Sequence, residues 1–216
     1  GRQAFSKCSG LTSVTLSQGV TSIGYGAFFR CESLRNITLP SSVTSIGDNA
    51  FYHCNSLTNI TIPESVTSIG ESTFSECSSL TSIVLPQGIT SIGDSAFSGC
   101  SKLTSIVLPQ GVTSIGDSVF KWCSSLTSIL VENGNEVFHA AGNCLIETAS
   151  KTLILGCKNS VIPTDGSVTT IASEAFYGCS LTDITIPSSV TNIRTGAFAG
   201  CSSLTSILVE NGNEVF

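Results

Sequence analysis

Six cysteines stand 23 residues apart, at Cys8, Cys31, Cys54, Cys77, Cys100 and Cys123. Six phenylalanines keep the same step, at Phe5, Phe28, Phe51, Phe74, Phe97 and Phe120. A fixed period of this length confines a chain to a solenoid. Each repeat is one short unit with two open faces, so its apolar side chains are covered only when a neighbour stacks on it. The unit at 77–100 reads CSSLTSIVLPQGITSIGDSAFSGC, and nearly all of the chain is a variant of it.

Within that unit Leu80, Ile83 and Leu85 fall in the pattern L-x-x-I-x-L, the core of a leucine-rich repeat. Ile83 and Leu85 alternate with Val84, as one face of a strand requires. Pro86 has no N–H to give a ladder and ends the strand. Gln87 and Gly88 turn the chain, Ile89 and Ile92 point inward again, and Gly93 allows the next bend. Asp94 or Ser95 is placed to cap a short helical turn over Ala96, Phe97 and Cys100. The expected core of a coil is Leu80, Ile83, Leu85, Ile89, Ile92, Ala96, Phe97 and Cys100. The expected fold is a leucine-rich-repeat solenoid, a β-rich right-handed superhelix of parallel strands with short helical turns. It forms a single domain over residues 1–216.

Regular units begin at Leu11, Leu34, Leu57, Leu80, Leu103 and Leu126, and again at Leu181 and Leu204. Between Phe120 and Phe176 the period breaks, and an irregular unit is expected over about 132–168. Inside it the apolar runs 143–147 (NCLIE) and 152–156 (TLILG) flank 148–151, which reads as a β-hairpin with a four-residue loop. Cys144 and Cys157 lie off the cysteine ladder and are free to pair with each other. Residues 202–216 repeat 124–138 letter for letter. That points to duplication of whole blocks, with the irregular unit starting again just past the end. The chain begins and stops inside repeats and is read as a piece of a longer protein.

Composition narrows the function. Charged residues make up 11% of the chain, against roughly a quarter in ordinary domains, and the net charge is −6. No Lys/Arg patch exists to neutralise phosphates, so nucleic acid is excluded as a partner. No apolar run approaches the roughly 18 residues of a membrane span. The repeat cysteines occupy one inward position of successive coils and read as buried thiols, which behave as small hydrophobes. No C-x-x-C pair or histidine partner supports zinc.

Few residues suggest chemistry. His139 lies five residues before Cys144, but a hydrolytic pair also needs an orienting acid, and a polar residue in a spacer loop is the better reading. Asp48, Glu71, Asp94 and Asp117 recur once per coil after the glycine. A Ca²⁺ ladder is one reading, and acids at the starts of helical turns are the stronger one. Asn36–Thr38 and Asn59–Thr61 are glycosylation acceptors only in a eukaryotic host. The chain is read as no enzyme, with no cofactor and no metal.

Units such as LTSIVLPQGVTSIGDSVFKWC and LTDITIPSSVTNIRTGAFAGC resemble the BspA-like branch of leucine-rich repeats. Its hallmarks are L-x-x-I-x-L/I-P, then V-x-x-I-G, then A-F-x-x-C, and the resemblance covers nearly the whole chain. It implies a secreted or surface-displayed protein, with adhesion to host extracellular-matrix proteins as a role known in several members. It implies no catalytic or binding residues that carry over.

Where such a chain binds is suggested by which row varies. The outward strand positions, such as Thr38, Thr61, Val84 and Val107, change little. The two positions after the recurrent phenylalanine change a great deal. They include Phe29, Arg30, Tyr52, His53, Lys121, Trp122 and Tyr177, with Tyr25 nearby, and they hold the only tryptophan. Aromatics and arginine are enriched in binding hot spots. The concave strand ladder and this edge are the two candidate faces for a protein ligand, the edge slightly ahead, and a host matrix glycoprotein is one candidate. The alternatives are a spacer that binds nothing and a carbohydrate-binding accessory module.

Overall fold

The computed structural model describes residues 1–213; residues 214–216, the end of the second copy of the 124–138 sequence, lie outside the described residues. Most coils contribute two short strands that stack in parallel rows with those of their neighbours, while the segments at 57–62 and 80–85 join the first row only through the bridge of Thr61 to Val84. The L-x-x-I-x-L segments form the first row: β1 (Ser13–Thr15), β3 (Asn36–Thr38), β7 (Ser105–Leu108), β9 (Ser128–Val131), β14 (Asp183–Ile186) and β16 (Ser206–Val209). The V-x-x-I-G segments and their counterparts form the second: β2 (Ser22–Ile23), β4 (Ser45–Ile46), β5 (Ser68–Ile69), β6 (Ser91–Ile92), β8 (Ser114–Ile115), β13 (Thr170–Ile171) and β15 (Asn192–Ile193). Register steps by one repeat, with Ile106 beside Ile129 in the first row and Ile69, Ile92 and Ile115 aligned in the second.

The third wall of the coil differs from the expected helical turn. No helix occurs among the described residues. Amide groups there alternate between two kinds of acceptor. Ala96, Ser98 and Cys100 donate to Gly93, Ser95 and Phe97 three residues back, closing successive β-turns. Ser95, Phe97 and Gly99 donate instead to Asp117, Val119 and Lys121 of the next coil, at 2.9, 3.0 and 2.7 Å. Ser95 and Gly99 hold φ of 54° and 75°. A left-handed residue at every fourth position interrupts helical winding and turns half of the N–H groups outward to the neighbouring coil.

All eight expected core residues of the 77–100 unit are buried. The phenylalanines stack along the axis, with ring centroids 5.3–5.6 Å apart from Phe5 to Phe120. The thiols of Cys54, Cys77, Cys100 and Cys123 each donate to the carbonyl of Phe28, Phe51, Phe74 and Phe97 at 3.2 Å. Burial pushes Cys77 and Cys123 up to about 12, which keeps them neutral thiols.

The stack changes character in the irregular unit. β10 (Phe138–Ala141), β11 (Cys144–Glu147) and β12 (Thr152–Leu155) form an antiparallel meander. β12 then pairs parallel with β13, setting Leu153 beside Ile171, so it stands where a regular coil would place its second strand. The phenylalanine stack stops at Phe120 and resumes with Phe176 on Phe198 at 4.9 Å. The buried side chains accordingly fall into two clusters, the first running from Ile23 to Leu155 and Cys157, the second from Cys144 to Ala197.

Candidate functional site

The turn wall positions the residues after each phenylalanine. The first of the two is half-buried in most coils and buried at Ser75. The second takes positive φ in every coil: 62° at Lys7, 56° at Arg30, 57° at His53, 62° at Glu76, 75° at Gly99, 62° at Trp122, 68° at Gly178 and 70° at Gly200. Its N–H donates to the next coil, as from Arg30 to Tyr52 at 2.7 Å and from His53 to Ser75 at 2.9 Å. Part of the variation seen in sequence is therefore a backbone effect. Glycine adopts this conformation freely, whereas a side chain there costs about 1 kcal/mol or more.

The candidate residues gather in two groups. In the first, Phe29 stacks on Tyr52 at 5.0 Å, Arg30 lies 5.8 Å from the Phe29 ring centre, and His53 meets Tyr52 edge-on at 4.8 Å. In the second, the Lys121 ammonium lies 3.8 Å from the Tyr177 ring centre and 3.0 Å from Glu174 Oε1. Trp122 meets Tyr177 edge-on at 5.2 Å and remains 45% exposed. Gly178 and Gly200 leave room for the indole, because a Cβ on Gly178 would sit 2.4 Å from Trp122 Cε3. The hydroxyl of Ser118 and the ammonium of Lys121 hold the Glu174 carboxyl below its ordinary value of 4.5. Ser75, Glu76, Ser98 and Gly99 occupy the coils between the groups.

The strand ladder is a second exposed surface. The outward strand row begins with threonine, at Thr15, Thr38 and Thr61, then turns apolar. Val84 is 76% exposed, Val107 42% and Leu130 52%. Register sets Thr61 beside Val84 and Val107 beside Leu130, so the three apolar side chains belong to one row.

The remaining candidates are structural in their contacts. Register places His139 opposite Ile146, and its Nδ1 lies 2.9 Å from Thr148 Oγ1. The Cys144 thiol instead meets the carbonyls of Gly142 and Val161 and is pushed up to about 12 by burial. Cys144 and Cys157 are both free, and the latter donates to Asn143 O at 3.5 Å. The recurrent acids have no helix to cap. Asp48 and Asp94 accept the N–H of Glu71 and Asp117 on the next coil, both at 2.9 Å. Among the described residues no group of three or more His, Cys, Asp or Glu is arranged to hold a metal.

A family model for the BspA type leucine rich repeat region, in 6 copies, matches residues 1–140 and 147–216. A leucine-rich cell-surface protein of Faecalibacterium prausnitzii superimposes with a TM-score of 0.83 at 36% identity, over 96% of this chain and 57% of its own. The pneumococcal vaccine antigen PcpA gives 0.79 at 25% identity, over 93% of this chain and 51% of its own. A leucine-rich-repeat protein of Eubacterium ventriosum gives 0.69 at 26% identity, over 92% and 60%. The chain thus spans 51–60% of the length of these three. A comparison with curated proteins returned no match. Repeat period, stacked strand rows and family model agree, and the chain belongs to the BspA-type leucine-rich-repeat family.

Proposed function

We propose that this chain is part of a surface-displayed or secreted protein that adheres to a protein ligand, with host extracellular-matrix glycoproteins as the first candidates. The contact is the turn-wall edge, through Phe29, Arg30, Tyr52, His53, Lys121, Trp122 and Tyr177. One observation carries this reading. Trp122 keeps 45% of its surface exposed at a position where Gly99, Gly178 and Gly200 meet the same backbone requirement without strain. A large, exposed aromatic retained at a conformational cost fits a binding anchor better than a packing residue. The description of the Faecalibacterium relative as a cell-surface protein is in keeping with display outside the cell. The repeat scaffold offers rows of side chains, and we assign it no catalysis.

The test is a titration of the 216-residue chain against immobilised matrix glycoproteins, native and deglycosylated, with albumin as the control surface. Saturable binding that survives deglycosylation is expected. The double variant Tyr52→Ser, Trp122→Gly should weaken it at least about tenfold with an unchanged melting temperature, since hot-spot truncations cost about 2 kcal/mol or more. Undiminished binding removes the edge and directs attention to the exposed row of Val84, Val107 and Leu130. Loss on deglycosylation favours the carbohydrate reading, and no binding at all favours a spacer.

A further inference from the structure

The break in the stack leaves hydrogen-bonding groups without partners. In the intact wall, the N–H groups of Ser95 and Phe97 donate to the carbonyls of Asp117 and Val119. One coil later the equivalent donors are Ser118 and Phe120. Neither N–H has an acceptor among the described residues. The cause is β12. Gly156 follows it and donates to Ala175 O at 2.9 Å, the carbonyl that register assigns to Phe120. The two walls meet again at Trp122, whose N–H donates to Tyr177 O at 3.2 Å. Between these points lies a cleft of about 190 Å³, lined by Ser118 and Phe120 and by the apolar side chains of Ile115, Leu145 and Ile154. Ile115 shows the opening, for it is half-buried where Ile46, Ile69 and Ile92 are buried.

The charges at this cleft follow the same pattern of one tied group and one free. Asp117, Lys121, Glu174 and Arg194 all line it. Glu174 is paired with the Lys121 ammonium and accepts a hydrogen bond from the Ser118 hydroxyl. The Arg194 guanidinium makes no ion pair or hydrogen bond among the described residues. Arg194 also stands where the regular coils carry Gly47, Gly70, Gly93 and Gly116. The charges of Asp117 and Arg194 offset each other, so the two unpaired N–H groups decide the sign, and unpaired backbone donors favour an anion.

We propose that this cleft binds a carboxylate, received by the N–H groups of Ser118 and Phe120 and paired with Arg194, with the ligand's apolar part on Ile115 and Ile154. The site is independent of the adhesive edge. Its ligand is an acidic side chain of a polypeptide or the terminal carboxylate of a chain or free acid, which share this chemistry.

The experiment is a ¹H–¹⁵N NMR titration of the 216-residue chain. The probes are N-acetyl-glutamate α-amide, which presents an acidic side chain, and N-acetyl-alanine, which presents a terminal carboxylate. Acetamide and sodium chloride at matched ionic strength are the controls. The Ser118 and Phe120 amide signals should shift saturably with a carboxylate and not with either control, and the tighter probe identifies the source. Arg194→Gln and Arg194→Gly, the latter restoring the regular-coil residue, should each weaken binding about tenfold, the loss of one charge-assisted hydrogen bond. A response equal to that of chloride, one centred away from these two amides, or one unaffected by both Arg194 variants overturns the proposal.

Discussion

Gly93 illustrates how one atom enforces the stack. The sequence reading gave it the role of a bend, yet its φ is not positive. What it supplies is close approach. A Cβ there would lie 2.7 Å from Glu71 N and 2.8 Å from the Gly70 carbonyl carbon, backbone atoms that yield only if the coils part. Gly47 faces the same constraint, with Tyr25 N at 2.7 Å. Ala172 and Arg194 occupy this position in the last coils, and Ala172 borders the cleft, where its methyl has room. Gly93→Ala should therefore cost about 2 kcal/mol, as overpacking does. Ala172→Gly should cost less than about 1 kcal/mol, the backbone-entropy difference alone. Urea midpoints of the two variants decide the matter, and the reverse order would place the constraint elsewhere.

The meander shows what an element reading by apolar runs misses. The runs around β11 and β12 were visible, whereas β10 was not read as a strand. Its signal was the Gly142-Asn143 dipeptide between FHAA and CLIE, with φ of 57° and 56°. Two left-handed residues in a two-residue loop are the signature of a type I′ hairpin. Pairing sets His139 opposite Ile146 and Cys144 opposite Ala141, so the two are out of register. Gly142 is doubly constrained, since a Cβ would also lie 2.0 Å from Val161 O. Gly142→Ala should destabilise by about 2 kcal/mol or more. Thermal melts and the loss of cross-strand NOEs between His139 and Ile146 measure it. An unperturbed hairpin would show that Val161 can move aside.

Across the array, stability should follow the ladder. Coils between Ser68 and Cys100 donate to neighbours on both strand rows and on the turn wall, whereas the wall at 118–120 does not. Native-state hydrogen exchange should find the amides of Ser118 and Phe120 exchanging about a hundredfold or more faster than those of Ser95 and Phe97, because local protection follows hydrogen bonding and burial. Equal protection would mean that the break is closed in solution. The interruption also separates the two buried clusters, so it is where the array is expected to open first.

The repeat period and the alternation of apolar residues determined the solenoid, its inward set and the stacking of like on like. These depend on local pattern repeated at a constant step, and any neighbour that repeats the pattern satisfies it. Three features were decided only in the folded stack. The turn wall is a run of β-turns because half its amides bond the next coil, a partner that a single repeat does not contain. The glycine after Ile92 is required by a backbone 23 residues away, not by its own φ. The cleft lies where Gly156, and not Phe120, donates to the carbonyl of Ala175, and such pairing between distant segments leaves no mark on either segment alone.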